Sequence, residues 1–294
     1  MASLRQIRRR IRSIQSTKQI MRAMQLVSGS KFKRAHNRML QGRQLLQFLD
    51  GLLQRVLVAA PTLAHPLTVH NERLPSALVI VTSDTGLAGA YNANLIQLAE
   101  SELRRDSATQ TEVTYIGKRG HRYFTKRGYA AKDAYLDLAG RPDAAKIDAI
   151  SHVLIQRFLA GHIGSVKLLH AKFTSASLSR PTITQWLPIT LKTQQSEDSG
   201  QAEHAGPLPQ DYIFEPSAQR VFEDLLPRWA IATFRLVLLE AFTSEHGARM
   251  IAMKNATDNA QDLLGRLTSQ RNRIRQAAIT KELSEIVGTV EALR

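Results

Sequence analysis

The sequence predicts an α/β protein in which two long terminal helices, paired as an antiparallel coiled coil, flank one central layered domain. Two observations predict this class. Apolar residues recur at coiled-coil spacing near both ends of the 294-residue chain, and strand and helix patterns alternate between residues 74 and 190. No internal repeat divides the chain further.

The N-terminal coiled-coil helix is predicted at residues 1–60. Its apolar seam, with spacings of three, four and three residues, consists of Leu4, Ile7, Ile11 and Ile14. Helix-forming residues continue until the segment APTLAHP ends the pattern. A helix of about 55 residues would be roughly 80 Å long, which is more than a compact domain of this size needs.

A change of period marks the central domain, predicted at residues 74–190. The run SALVIVTSD is apolar until it ends in turn residues, as expected for a strand buried on both faces. Further strands are predicted at EVTYIGK, SVKLLHAKFTS and TITQWLPI, and helices near residues 92–105, 119–126 and 143–160. Because strands alternate with helices, we expect a mostly parallel sheet with helices packed on it.

A second long helix is predicted at residues 216–294, after a polar loop at 191–215 that shows no periodicity. The helical pattern continues despite Pro227, and its last part carries a second seam of Ile279, Leu283, Ile286, Val290 and Leu293. Winding this seam on the N-terminal one would bury both. The chain enters the central domain by one helix and leaves by the other, which favours an antiparallel pair.

The charge distribution narrows the classes of partner. The net charge is +15, and the first 49 residues contain twelve Lys or Arg and no Asp or Glu. Nucleic acid, anionic lipid or an acidic protein surface would suit such a chain. The polar face of the basic helix lacks aromatic residues for base stacking, which favours a protein surface. A transit peptide is also Arg-rich, but the helical pattern shows no cleavage boundary, so we expect it in the mature fold.

Composition also excludes several kinds of chemistry. Cysteine is absent, which excludes disulfides, thiol nucleophiles and Cys-ligated metals. The longest apolar runs are far shorter than the roughly 18 residues of a membrane span, so the protein is expected to be soluble or peripheral. The nine histidines show no metal-ligand spacing, and we expect them at the surface or in caps.

One glycine-containing loop lies where nucleotide-binding folds hold phosphate. The segment TSDTGLAGAYNAN joins a predicted strand to a predicted helix. However, Gly86 and Gly89 form only G-x-x-G, and no Lys follows within the loop, which favours a structural turn over a phosphate site. No G-x-S-x-G elbow occurs either, and no catalytic, cofactor-binding or metal-binding residue is predicted.

Polar residues crowd one stretch of the second helix, at Asn255, Thr257, Asp258 and Asn259. Such residues lower helix propensity. They would fix the register if they lay in the coiled-coil seam, or they would form a solvent-facing surface. The sequence leaves both interpretations open.

Three separated regions resemble one family, the gamma chains of F-type ATP synthase. The matching segments are MASLRQIRRRIRSIQSTKQIMRAMQLV, TSDTGLAGAYNANL, and LLEAFTSEHGARMIAMKNATDNAQDLL with NRIRQAAITKELSEIVG. The likeness spans essentially the whole chain. It implies a Rossmann-like central domain that binds no nucleotide, beside an antiparallel coiled coil.

The resemblance also implies a function. A gamma chain is the central-stalk rotor subunit of F1Fo ATP synthase, which couples ion flow through the membrane ring to ATP synthesis or hydrolysis at the alpha/beta hexamer. The implied partners are the alpha, beta and epsilon chains and the membrane c-ring, with no nucleic acid, cofactor or membrane span. A non-catalytic, peripheral subunit at the cytoplasmic face of a bacterial plasma membrane is therefore expected.

By the same resemblance, two groups of residues are expected at interfaces. Those expected to meet the alpha/beta ring are Met24, Lys31, Lys33, Arg34, Arg275, Gln276, Thr280, Glu282, Ile286, Val290 and Leu293. Those expected to meet the membrane ring or epsilon are Tyr212 and Glu215. The chain departs from the family at Ser28 and Gly29, where alanines are favoured, and the glycine should weaken the helix by about 1 kcal/mol.

Two other classes of function are compatible with parts of the sequence. A nucleic-acid-binding protein with a coiled-coil arm would use the basic helix, and its affinity would fall steeply with salt. A nucleotide-dependent enzyme would use the loop at Gly86 and Gly89, and the isolated central domain would bind mononucleotide.

Overall fold

The structure, a computed structural model, describes residues 4–60, 62–105, 111–138, 140, 143–190 and 214–292. The helices are α1 (Leu4–Ala59), α2 (Tyr91–Arg105), α3 (Lys118–Thr125), α4 (Ala144–Leu159) and α5 (Ala218–Ala292), with a 3-10 turn at Pro66–Thr68. The strands are β1 (Ser76–Val81), β2 (Glu112–Ile116), β3 (Ala131–Tyr135), β4 (Ser165–Phe173) and β5 (Ser179–Leu187). No described helix is long and apolar enough to cross a membrane.

The five strands form one sheet in the order β3-β2-β1-β4-β5. Strands β1 to β4 run parallel, and only β5 is antiparallel to its neighbour β4. The order of the four parallel strands, in which the chain reverses direction beside β1, is that of Rossmann-like folds. The predicted α/β class with a mostly parallel sheet is therefore confirmed.

Strand β1 shows why its sequence is apolar throughout. Leu78 and Ile80 pack with helices α2 and α3 on one face of the sheet. Ala77, Val79 and Val81 face the other side, where α4 and parts of α1 and α5 cover the sheet. Since successive side chains of a strand alternate between faces, a strand covered on both sides has no polar positions.

Strand β3 was not predicted. Its residues alternate between half-buried and exposed positions, and it lies at the edge of the sheet beside β2. Only one strand pairs with β3, and two of its five residues, Lys132 and Asp133, are charged. An edge strand needs little apolar surface, so its sequence resembles that of a loop.

Side-chain hydrogen bonds join the first part of α5 to the sheet layer. Trp186 Nε1 donates to the carbonyl oxygen of Ala230 at 2.9 Å, and Tyr91 Oη donates to that of Ala241 at 3.1 Å. Arg235 forms an ion pair with Asp148 of α4, in which Arg235 Nη2 donates to Oδ1 at 2.7 Å and to Oδ2 at 2.6 Å. Aromatic and charged anchors of this kind fix the helix against the domain.

The expectation that the histidines lie at the surface or in caps is wrong for two of them. His170 and His246 are both 2% exposed, although His65 does cap the 3-10 turn by accepting from Leu67 N at 3.0 Å. A ring nitrogen of His246 lies 3.0 Å from the carbonyl oxygen of Gly140. Such tertiary partners are distant in sequence, so histidine spacing does not reveal them.

The chain divides into two compact units, Ser30–Ala248 and Met1–Gly29 with Arg249–Arg294. This division cuts both long helices, whereas the predicted boundaries follow the ends of elements. The domain boundaries at 60, 74, 190 and 216 stay a prediction. The predicted loop at 191–215 lies outside the described residues except for its last two positions.

The second unit is an antiparallel helix pair. Gly29 of α1 lies beside Met250 of α5. A second contact joins Lys18, eleven residues before Gly29, to Gln261, eleven residues after Met250, where Lys18 donates to the Gln261 side chain. The two contacts therefore run in opposite chain directions with a constant register. If the same register continues towards the N-terminus of α1, Leu4 lies opposite residue 275.

The prediction that the two seams bury each other is wrong in its pairing. Ile7 and Ile11 are buried, at 2% and 7% exposure, but the register places them opposite α5 residues near 272 and 268. Ile279, Leu283 and Ile286 lie beyond that register and are exposed. A heptad pattern indicates that a face is apolar, but it does not name the surface that covers it.

Most of the polar stretch of α5 faces solvent. Asn255, Asp258 and Asn259 are exposed, whereas Met253 and Ala260 are buried. Thr257 is half-buried and lies between Met253 and Ala260 at seam spacing, with its hydroxyl donating to the Met253 carbonyl oxygen at 2.8 Å. The solvent-facing interpretation therefore holds for three of the four residues, whereas Thr257 lies on the seam side of the helix.

Candidate functional site

The far end of α5 carries an exposed apolar stripe. Ile279, Leu283 and Ile286, hereafter the terminal stripe, are 49%, 58% and 60% exposed. At about 100° per residue, their side chains fall within an arc of about 60° on one face of the helix. No described residue covers them, and an apolar face of this kind marks a surface for a partner.

The predicted contact residues on α5 flank this stripe. By the same helical angle, Arg275 and Glu282 lie on one side of it and Gln276 and Thr280 on the other. All four are exposed. An apolar centre with polar residues on both edges is the usual anatomy of a protein interface. The structure describes no side chain for Val290 and does not describe Leu293.

The predicted contact residues on α1 form a separate basic group. Lys33 and Arg34 are exposed and Lys31 is half-buried, all within one helical turn. Arg34 Nη2 lies 3.4 Å from the hydroxyl of Ser30, and no described carboxylate pairs with any of the three. Met24 is half-buried and belongs to the other unit. The three cations remain available to an acidic surface.

The residues predicted to meet the membrane ring or epsilon are only partly described. Glu215 is exposed and precedes the first residue of α5, Ala218, by three positions. Tyr212 lies outside the described residues.

The contacts of the glycine loop support a structural turn. Ser83 N donates to Asn92 Oδ1 at 3.1 Å, and the Ser83 hydroxyl donates to the carbonyl oxygen of Thr85 at 2.6 Å. Asp84 Oδ1 accepts from two backbone amides, those of Lys118 at 3.0 Å and Asp137 at 3.2 Å. The polar side chains that follow β1 thus hold neighbouring loops together.

Two perturbed titratable groups of the sheet layer lie in the core. Burial lowers the pKa of His170, against a smaller opposite effect of Glu240, whose carboxylate lies 4.0 Å from Nε2. Burial also raises the pKa of Tyr115. Neither faces a cleft, and no group of three His, Asp or Glu in the described ranges could hold a metal ion. Both pKa shifts therefore follow mainly from packing in the core.

Sequence reasoning missed one group of cations, on α3. Arg119, Arg122 and Lys126 line a groove between α2 and α3, together with the glycine loop. Their spacing of three and four residues, inside a helix that was itself predicted, was the signal that could have revealed a charged face.

Comparisons with known proteins agree over the whole chain. The profile of the family described as ATP synthase matches residues 3–293. The chain is 39% identical to the ATP synthase gamma chain of Pelotomaculum thermopropionicum, over 100% of both chains. It is also 39% identical to that of Frankia casuarinae, over 99% of this chain and 97% of the relative.

Solved structures show the same fold at lower identity. A chain of the Euglena gracilis mitochondrial ATP synthase, solved by cryo-electron microscopy, aligns with a TM-score of 0.66 and 17% identity, over 99% of this chain and 94% of that one. A chain from the central stalk and c-ring structure of the Tetrahymena thermophila enzyme aligns with a TM-score of 0.58 and 18% identity, over 81% and 99%. With matches of this extent in sequence and fold, the chain belongs to the family of ATP synthase gamma chains.

Proposed function

We propose that the chain is the central-stalk rotor subunit of an F1Fo ATP synthase, coupling ion flow through the membrane ring to ATP synthesis or hydrolysis at the alpha/beta hexamer. The observation that carries the proposal is the family match over residues 3–293. The relatives' name, ATP synthase gamma chain, and the fold shared with central-stalk structures both support it. Neither comparison supports the nucleic-acid alternative.

The terminal stripe supplies the surface that works inside the hexamer. A shaft that presents one apolar face, edged by Arg275, Gln276, Thr280 and Glu282, contacts three otherwise equivalent sites differently. Differential contact shifts the conformational equilibrium of each site in turn as the shaft rotates. The chain itself needs no catalytic residue for this role.

The anchored part of α5 supplies the connection to the driving end. Trp186, Tyr91 and the pair of Arg235 and Asp148 hold α5 on the sheet layer, so torque on that domain passes into the helix. Because α5 continues as one helix to Ala292, the same element presents the terminal stripe.

The remaining surfaces are assigned by charge and by resemblance. Lys31, Lys33 and Arg34 would face acidic segments of the alpha/beta ring, and Met24, Val290 and Leu293 would also meet the ring. Tyr212 and Glu215 would meet epsilon and the membrane c-ring. The subunit would then lie at the cytoplasmic face of a bacterial plasma membrane as a peripheral protein.

Co-expression with alpha and beta chains tests the proposal. We expect the chain to co-purify with an alpha/beta hexamer, and a bead attached near Glu215 to rotate when ATP is added. The chain alone should show no ATPase activity. A stable chain that does not associate with the hexamer, or a hexamer that hydrolyses ATP without bead rotation, would contradict it.

A further inference from the structure

The groove between α2 and α3 has a basic rim. Three exposed cations, Arg119 and Arg122 of α3 and Lys126 at its C-cap, are spaced so that they form one stripe along the helix. Within the described ranges, no carboxylate pairs with any of the three. The groove encloses about 630 Å³. Cations in such a row, without internal partners, form a local field that attracts anionic groups.

The acid that lines the groove is already occupied. Glu100 Oε1 accepts from the hydroxyl of Tyr123 at 2.8 Å and lies 3.7 Å from Arg127. The guanidinium of Arg127 also covers the ring of Tyr123, 3.6 Å from its centre. The field of the three free cations is therefore not cancelled from within the groove, and one face of the Tyr123 ring is covered by Arg127.

The groove also presents apolar side chains, on its α2 side and at the glycine loop, beside the polar Asn92 and Gln97. Ala93 and Ile96 of α2 line it, and Leu87 of the glycine loop is 59% exposed. A phosphate or an oligonucleotide backbone would leave these apolar side chains without a partner, and Arg127 already occupies one face of the Tyr123 ring on which a base could stack. Apolar side chains in a groove with a cationic row instead fit a peptide helix with one apolar and one acidic edge.

We propose that this groove is a docking site for an acidic amphipathic helix from another chain of the synthase complex. The proposal rests on the proposed function, because it takes the occupant from the assembled complex. Carboxylates spaced by three or four residues on the occupant would pair with Arg119, Arg122 and Lys126. Its apolar residues would cover Leu87 and Ile96.

Photo-crosslinking in the assembled complex tests the proposal. Gln97, an exposed residue of the groove, is replaced by photoreactive benzoylphenylalanine in the full chain. We expect a crosslink to a helical segment of another subunit with acidic residues at spacings of three or four. A crosslink to a basic or uncharged segment, to an oligonucleotide added to the complex, or to no chain at all would overturn the docking site.

Charge variants test the mechanism of binding. Neutralising the row with Arg119→Gln, Arg122→Gln and Lys126→Gln should lower the crosslink yield about tenfold, and added salt should weaken the unmodified crosslink. The control, Arg73→Gln with Lys146→Gln and Arg180→Gln, removes the same charge from exposed positions outside the groove and should leave the yield unchanged. Equal losses in both triple variants would refute a specific pairing.

Two further measurements distinguish failure of the groove proposal from failure of the rotor proposal and from misfolding of the triple variant. Assembly of the complex is measured separately by co-purification, so failure of the unmodified chain to assemble contradicts the rotor proposal and not the groove alone. If the triple variant does not fold, Arg122→Gln should still lower the yield a few-fold, and Arg122→Lys should restore most of it. An Arg122→Gln yield equal to the unmodified one would reject the cationic row.

Discussion

At the scale of single residues, two glycines show opposite uses of a missing side chain. Gly117 follows β2 with a φ of 99°, and a Cβ there would lie 2.1 Å from the carbonyl oxygen of Thr82. Gly29 lies inside α1, where a Cβ would lie 3.4 Å from the flexible Sδ of Met250. Glycine is therefore required at the first position and only tolerated at the second.

The variant Gly117→Ala should lose about 3 kcal/mol of unfolding free energy in urea, because the methyl group overlaps the β1 loop and the backbone angle is unfavourable. The control is Gly128→Ala, where φ is 88° but no atom lies within 4 Å of the Cβ. It should lose only about 1 kcal/mol from the backbone angle. Equal losses would show that the close approach to Thr82 does not matter.

The variant Gly29→Ala should gain up to about 1 kcal/mol, because alanine loses less backbone entropy in a helix and the new methyl meets Met250 at ordinary contact distance. Gly51→Ala, in the same helix with open space around the Cβ, is the matched comparison and should gain as much. Circular dichroism during urea unfolding measures both. Destabilisation by Gly29→Ala alone would mean that the helix pair cannot adjust around Met250.

At the scale of elements, variants of the terminal stripe should change binding to the hexamer without changing the stability of the chain. Leu283→Ser combined with Ile286→Ser removes apolar surface that no described residue covers, so the unfolding free energy should change by less than about 0.5 kcal/mol. Affinity for the alpha/beta hexamer should fall by more than about tenfold, since apolar centres carry most interface energy.

The matched control for the stripe uses exposed apolar residues of α4. Val153 and Leu159 are 43% and 44% exposed, and changing both to Ser should leave hexamer affinity unchanged. Pull-down with a titrated hexamer measures each variant. If the α4 variant binds as weakly as the stripe variant, the loss reflects general damage and the stripe is not the contact.

The elements also show how far sequence reasoning reaches. Strand β1 was predictable because burial on both faces removes every polar position, and α1 because an apolar seam at helical spacing leads into a long run of helix-forming residues. Strand β3 was not, because one free edge leaves its composition close to that of a loop. The site residues on α5 came from resemblance, since polar residues on an exposed helix carry no periodic signal of their own.

The pairing of the two seams shows a different limit. Periodicity predicted two apolar faces and gave no register, so burying Ile7 against the last seam was a reasonable but wrong inference. The register depends on where side chains such as Met250 and Gln261 meet α1, which is a tertiary property. The buried positions of His170 and His246 escaped prediction for the same reason.

At the scale of the whole molecule, the charge of +15 should govern how fast the chain meets its partners. Long-range attraction to an acidic ring raises the association rate and is screened by salt. Raising ionic strength from about 50 to about 300 mM should lower the association rate constant about tenfold and change the dissociation rate much less. Surface-based kinetics with immobilised hexamer measures both constants.

Lys33→Gln with Arg34→Gln provides the matched test of that attraction. Both residues are exposed on the acid-free part of α1, so the variant should associate more slowly at low salt and lose part of the salt dependence. A salt effect confined to the dissociation rate would show that charge acts in the bound complex and does not steer the encounter.

The terminal stripe has a consequence for the order in which the complex is built. Under the proposed function, a newly made chain exposes Ile279, Leu283 and Ile286 to water until a hexamer forms around it. Free chains will then stick to one another through these residues or be held by chaperones that bind apolar segments. We therefore expect copies of this subunit made in excess of the ring to aggregate or to be degraded.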